Sequence, residues 1–169
     1  MIVVLMGVTG SGKTTIGRRL ADDLGWTFLD ADDFHPASNV AKMHAGVPLT
    51  DEDRRPWLEA IRVRLVEARD RGEGVVLACS ALKHAYQHYL GSVGSNLIRY
   101  VFLKGPEDLI RRRLAGRSGH FMNPGLLHSQ FETLEPPDDA LKVDVTPPPG
   151  EVAAAVRAGL GLGPGPGAK

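Results

Sequence analysis

The segment Gly7-Val8-Thr9-Gly10-Ser11-Gly12-Lys13-Thr14 carries the sharpest chemical signal in the chain. Its spacing, G-x-x-x-x-G-K-[ST], lets the backbone curl so that successive N–H groups point into one concavity. A helix opening at its end adds the positive end of a helix dipole. Phosphate oxygens are the ligand that such a nest suits. Lys13 is placed to reach β- and γ-phosphates and the Thr14 hydroxyl to ligate Mg²⁺. The loop, with Thr15 behind it, is therefore expected to bind ATP. A glycine-rich turn without a ligand is the competing reading. The apolar run before the loop and the helical pattern after it argue against that, because strand–loop–helix is the context the motif requires.

A second cluster, Leu29-Asp30-Ala31-Asp32-Asp33, puts carboxylates at the carboxyl end of an expected strand, the edge where open α/β sheets bind ligands. Strand side chains alternate, so Asp30 and Asp32 share one face if the strand continues. One of the two can hold Mg²⁺ through water while the other accepts a proton from a substrate hydroxyl. Asp32 is assigned the proton and Asp30 the metal, though an exchange of the two roles stays open. Asp33 is read as a turn or cap residue, a common use of Asp at such junctions.

These groups need a scaffold. Five apolar segments, Ile2–Met6, Thr27–Asp30, Gly74–Cys79, Ile98–Leu103 and Leu141–Val145, read as buried strands. Near-continuous apolar runs suit a parallel sheet covered on both faces. Between them, Lys13–Leu24, Trp57–Ala68, Glu107–Leu114 and Glu151–Leu160 carry helical stripes. The alternation predicts an α/β three-layer fold with right-handed crossovers: a five-stranded parallel sheet with helices on both faces. Residues 1–169 are expected to form a single domain. Residues 32–70 and 116–139 are too long and polar for simple crossovers and are expected to be an acceptor-binding insertion and a lid. The Gly/Pro-rich tail 159–169 is expected to be disordered.

Composition narrows the function further. Twenty Lys+Arg balance twenty Asp+Glu, which speaks against a general nucleic-acid or membrane binder. Any acidic ligand must then meet a local basic cluster. The lone Cys79 cannot form an internal disulfide, which fits a reducing compartment. Ile2–Met6 is too short to span a bilayer and lacks the flanks of a signal peptide, so a cytoplasmic location is expected. No His/Cys spacing suggests a zinc site.

Longer motifs follow the phosphate loop in order: His35-Pro36, Asn39, Lys42-Met43, Gly46-Val47-Pro48-Leu49 and Asp51-Glu52-Asp53-Arg54-Arg55-Pro56-Trp57-Leu58. Then come Cys79-Ser80-Ala81-Leu82-Lys83, Arg117-Ser118-Gly119-His120-Phe121 and Gln130-Phe131-Glu132-Thr133-Leu134-Glu135-Pro136. Together they closely resemble the gluconate kinases of the P-loop type, from Met1 to about Val156. The resemblance implies a P-loop kinase fold and ATP- and Mg²⁺-dependent phosphorylation of D-gluconate at its 6-hydroxyl. It also implies a homodimer.

Gluconate is a polyol with one carboxylate, so its site needs a cation and several polar groups. Arg54, Lys83, His35 and Ser80 are suitable types, and Arg54 can grip a carboxylate bidentately. Each has a blander reading: Arg54 as a helix-start charge beside a Thr50–Asp53 capping box, and Lys83 as a solvated helix lysine. In the lid, His120 is a candidate contact, whereas His128 has no assigned partner. Arg113 and Arg117 share a face if their helix continues. Lids of related kinases supply arginines to the transferring phosphoryl group, and Arg117 is favoured over Arg113 for that contact. By resemblance, the turn at Thr146-Pro147 helps hold the adenine.

Shikimate kinase is the nearest alternative, but it carries a glycine triplet where this chain has Cys79-Ser80-Ala81. A nucleoside kinase would need aromatic stacking, and aromatics make up only 6% of the chain. A nucleotide-dependent switch would need a guanine-specific motif that the sequence lacks.

Overall fold

The computed structural model describes residues 1–80, 83–94, 96–116, 124–163 and 165. Five parallel strands run in the order β2-β3-β1-β4-β5. They are β1 (Ile2–Met6), β2 (Thr27–Asp30), β3 (Val75–Ala78), β4 (Ile98–Lys104) and β5 (Leu141–Asp144). All five lie within a residue or two of the expected segments. Every residue of β1 is buried, because β1 pairs with β3 on one side and β4 on the other. The strand order reverses at β1, which is the position where doubly wound sheets open a crevice at their carboxyl edge.

Strand alternation sorts the core into two layers. Ile2 and Val4 face a cluster containing Trp57, Leu58, Ile61, Leu65 and Leu90. These come from α3 (Asp51–Asp70) and α4 (His84–Gly91). Val3 and Leu5 face Ile16, Leu20, Val152 and Val156 from α1 (Lys13–Leu24) and α7 (Pro149–Gly159). Two further helices, α5 (Glu107–Ala115) and α6 (Pro124–Thr133), enclose a smaller cluster of Val8, Ile110, Leu114 and Leu127.

Several boundaries differ from the sequence expectation for identifiable reasons. Helix α3 begins at Asp51 rather than Trp57. The Thr50 side chain accepts the Asp53 N–H while the Asp53 carboxylate accepts the Thr50 N–H, and three acidic residues in the first turn favour the helix N-terminus. Those terms carry the helix through Pro56. Within the insertion a short helix, α2 (Ala37–His44), was unforeseen, as was a 3₁₀ turn over Ala31–Phe34. Past Gly159, where disorder was expected, Leu160 and Leu162 pack against the Ile16–Val156 layer, and Gly165 N–H donates to Asp23.

Candidate active site

The phosphate loop joins β1 to α1, and its shape depends on glycine. At Gly10, φ is +83°, and a Cβ would lie 2.7 Å from Leu114. At Gly7, a Cβ would meet the Leu103 carbonyl at 2.9 Å and the buried Ser11 hydroxyl at 2.8 Å. A side chain at either position would push the loop off the β4–α5 corner that supports it. The helical ladder of α1 starts with Ile16 N–H donating to Gly12 at 2.9 Å. The N–H groups of Thr14 and Thr15 therefore precede the ladder and face the loop mouth. Half-buried Lys13 curls its ammonium back onto the Gly7 and Val8 carbonyls, each at 3.0 Å. The lysine thus follows the loop's contour.

A cavity of about 130 Å³ opens from this loop, lined by Thr9, Gly10, Gly12, Lys13, Thr14, Asp30, Asp32, Ala78 and Ser80. It gathers side chains from the ends of β1, β2 and β3. Asp30 and Asp32 do meet there, but not through strand alternation. The strand stops at Asp30, whose carboxylate caps the 3₁₀ turn by accepting the Asp32 N–H at 3.1 Å. The turn then swings Asp32 back toward the loop. The turn itself is pinned by the Trp57 indole, which donates to the Ala31 carbonyl at 2.6 Å.

The two carboxylates differ chemically. Asp30 accepts a 2.8 Å hydrogen bond from the Thr14 hydroxyl. Asp32 opens to the solvent of the cavity, yet protein surrounds it closely enough for desolvation to raise its pKa, and the Asp30 charge raises it further. Lys13 and His35 partly offset this. Asp32 is therefore a stronger proton acceptor than an ordinary aspartate. The Thr14 hydroxyl and Asp30 carboxylate fit Mg²⁺, which prefers hard oxygen ligands and keeps several waters and phosphate oxygens in its shell. Among the described residues no group of three or more His, Cys, Asp or Glu forms a metal cage. A magnesium ion bound mainly through water and phosphate needs none.

His35 stacks on Trp57 at 4.7 Å between ring centroids and 8° between planes. The Asn39 amide nitrogen lies 3.3 Å from His35 Nδ1 and also donates to the Asp53 carbonyl at 2.8 Å. Since that nitrogen can only donate, Nδ1 accepts, and the neutral ring carries its proton on Nε2. Burial lowers the His35 pKa, with the Asp32 charge pulling the other way, so the ring stays neutral near pH 7.

Beyond His35 lies a second polar group. Lys83 donates to Asp51 at 3.1 Å, and the Tyr86 hydroxyl hydrogen-bonds the same carboxylate. Arg54 lies 3.8 Å from that carboxylate and 3.4 Å from the Tyr86 oxygen. Arg54 and Lys83 thus share Asp51. Two cations against one carboxylate still leave the group suited to an anion. The capping box beside Arg54 is present as well, so this arginine combines a helix-start position with a place in the cation cluster.

On the opposite flank, the Arg113 guanidinium docks on the turn after β5, 2.7 Å from the Val145 carbonyl and 3.5 Å from that of Thr146. The Thr146 N–H and hydroxyl both donate to Asp144, at 2.8 and 2.7 Å, which fixes the turn leading into Pro147. Helix α5 ends at Ala115, so the face that Arg113 was expected to share with Arg117 does not extend that far. Arg117 and His120 lie outside the described residues, as does most of the first half of the segment 116–139 that was expected to be a lid. Asp51, Tyr86 and Gln130 are polar participants that the sequence reading missed. Asp51 and Gln130 stand inside motifs already noted, whereas Tyr86 carries no sequence signal.

Comparison with known proteins fits this geometry. A family model described as an AAA domain matches residues 2–136. A probable gluconokinase of Xenopus tropicalis is 48% identical over 151 residues, covering 81% of this chain and 80% of its own length. The chain belongs to the gluconokinase family. A second relative, the thermoresistant gluconokinase of Escherichia coli (strain K12), is 41% identical and covers 92% of this chain and 91% of itself. The crystal structure of a gluconokinase from Sinorhizobium meliloti 1021 superposes with a TM-score of 0.85 at 42% identity, over 94% of this chain and 90% of that one. The gluconokinase family accounts for the order of motifs along the chain, and its P-loop kinase fold is the one observed. As a P-loop kinase, the chain uses ATP as its phosphoryl donor.

Proposed function

We propose that the chain transfers the γ-phosphoryl group of ATP to the 6-hydroxyl of D-gluconate, giving 6-phospho-D-gluconate and ADP. The observation that carries this reading is the single cavity in which the phosphate loop, Asp30, Asp32 and Ser80 converge, with the Arg54–Lys83–Tyr86 group beyond His35. In this reading Asp32 takes the 6-hydroxyl proton as the oxygen bonds to the γ-phosphorus. The bond from that phosphorus to the β–γ bridging oxygen breaks, and its electron pair leaves with ADP. Neutral His35 donates from Nε2 to a substrate hydroxyl, and Ser80 contacts another. Arg54 and Lys83 hold the carboxylate at the far end of the sugar acid.

The loop from Gly7 to Thr15 cradles the phosphates, with Lys13 balancing charge on the transferring group. Arg113, Thr146 and Pro147 border the adenine. Arg117 is assigned to the phosphoryl group and His120 to the acceptor, on the resemblance alone. Thr14 directly and Asp30 through water would hold Mg²⁺, which supplies charge neutralisation of the phosphates. The protein is read as cytoplasmic and homodimeric. Cys79, buried and the one cysteine of the sequence, supports the first, and the family likeness supports the second. Among the described residues no helix is long and apolar enough to cross a membrane. A monomer mass by light scattering at micromolar concentration would contradict the dimer.

Lys13→Ala tests the nucleotide side. Truncating a half-buried loop-mouth side chain opens no core cavity, so the melting temperature should hold while turnover nearly vanishes. Near wild-type activity would remove the loop from the mechanism.

A further inference from the structure

The run Gln130–Pro136 marked the chain's resemblance but has no part in the chemistry above. In the fold it forms the end of α6 and the strap that follows. Gln130 reaches across 121 residues of sequence to Thr9, the third residue of the phosphate loop. Thr9 N–H donates to Gln130 Oε1 at 2.8 Å, and Gln130 Nε2 donates to the Thr9 hydroxyl oxygen at 3.1 Å. The direction of the second bond is fixed by the first. A backbone N–H can only donate, so the amide oxygen must face it, which leaves the amide nitrogen to face the hydroxyl. The Thr9 hydroxyl therefore spends a lone pair on Gln130 and keeps its own proton. Thr9 lines the phosphate cavity, so that proton is available to a phosphate oxygen there.

The strap is anchored just past this contact. Phe131 and Leu134 pack against the Val8–Ile110–Leu114–Leu127 cluster beneath the loop. The Glu135 carboxylate accepts the His84 N–H at 2.7 Å, at the start of α4, and the Gln87 amide donates to the Glu135 carbonyl at 2.7 Å. Gln130 is thus held by packing and by hydrogen bonds, the support that a positioning group needs.

We propose that Gln130 is a positioning residue for the nucleotide: it fixes the Thr9 backbone and turns the Thr9 hydroxyl proton toward the phosphates of ATP. The proposal rests on reading Gly7–Thr14 as the ATP cradle. In the full chain with saturating gluconate, Gln130→Leu and Thr9→Val should each raise KM for ATP about tenfold, the scale of one or two lost hydrogen bonds. KM for gluconate should stay within about twofold. Thr9→Ser, which keeps the hydroxyl, should stay near wild type. The double variant should fall short of the product of the two single effects, since both changes break the Gln130 Nε2–Thr9 hydroxyl bond. An unchanged KM for ATP in Gln130→Leu, or multiplying effects in the double variant, would overturn the proposal, whether or not the melting temperature falls. Lys13→Ala separates the two levels. An active Lys13→Ala enzyme means that the cradle reading has failed, whereas an inactive one beside an unaffected Gln130→Leu means that only the role of Gln130 has.

Discussion

Asp32 carries a charge that its surroundings resist. Desolvation and then Asp30 hold its pKa above 3.8, so between that value and its folded pKa the native chain binds more protons than the unfolded one. Stability contributed by this group therefore falls as pH rises through that window, and the ionised form that the proposed proton transfer requires is the destabilised one. Asp32→Asn should lower kcat at least about a hundredfold, the low end of what a positioned base supplies. The same change should raise the melting temperature at neutral pH and remove an acid limb of the kcat/KM profile lying above pH 3.8. A variant both slower and less stable would count against this account of Asp32. Asp30→Asn should instead weaken Mg²⁺ dependence, and a larger metal effect at Asp32 would exchange the two roles. The aspartates were legible in sequence because carboxylates at a strand end are an unusual concentration of charge. Tyr86 was not legible, since its approach to Asp51 depends on how α4 packs against α3, and no spacing along the chain encodes that.

Helix α3 shows what local pattern can and cannot reveal. Its apolar stripe of Leu58, Ile61, Leu65 and Ala68 was visible, and all four are buried. Its true start was hidden by Pro56, which normally ends or begins a helix. The capping box outweighs that signal, and Lys42 reinforces it by binding both Asp53 oxygens at 2.9 Å. The Lys42 contact, then the Thr50 N–H, hold Asp53 down to about 2, so the network persists at any pH well above that and weakens as pH falls through it. Thr50→Ala should cost about 1 kcal/mol in urea unfolding at pH 7, the usual value of an N-cap. Because Asn39 holds both Asp53 and His35, the same variant should raise KM for the acceptor more than KM for ATP. Equal effects on both would separate the cap from the site. Helix α2 and the 3₁₀ turn escaped the sequence reading because each is too short to show a period, and both are held by tertiary contacts such as the Trp57–Ala31 hydrogen bond.

At the scale of the molecule, the sheet brings two kinds of recognition to one edge. The switch point at β1 places the phosphate loop between β3 and β4, and β2 and β3 deliver Asp30, Asp32 and Ser80 beside it. The insertion then supplies His35 and Arg54, and α4 follows from Lys83. In the proposed site, an acceptor running from Asp32 past His35 to that cation cluster is a chain with a hydroxyl at one end and an anion at the other. Gluconate meets this requirement, and glucose, with the same carbon count but no carboxylate, does not. Losing a charge-assisted hydrogen bond costs roughly 1.5–3 kcal/mol, or about ten- to a hundredfold in rate. The most direct test is kcat/KM for gluconate and glucose measured by coupled ADP release, with shikimate, glycerate and two nucleosides alongside. The account predicts that gluconate exceeds glucose by at least about tenfold and that the others are slower still. Comparable values for glucose and gluconate would contradict it.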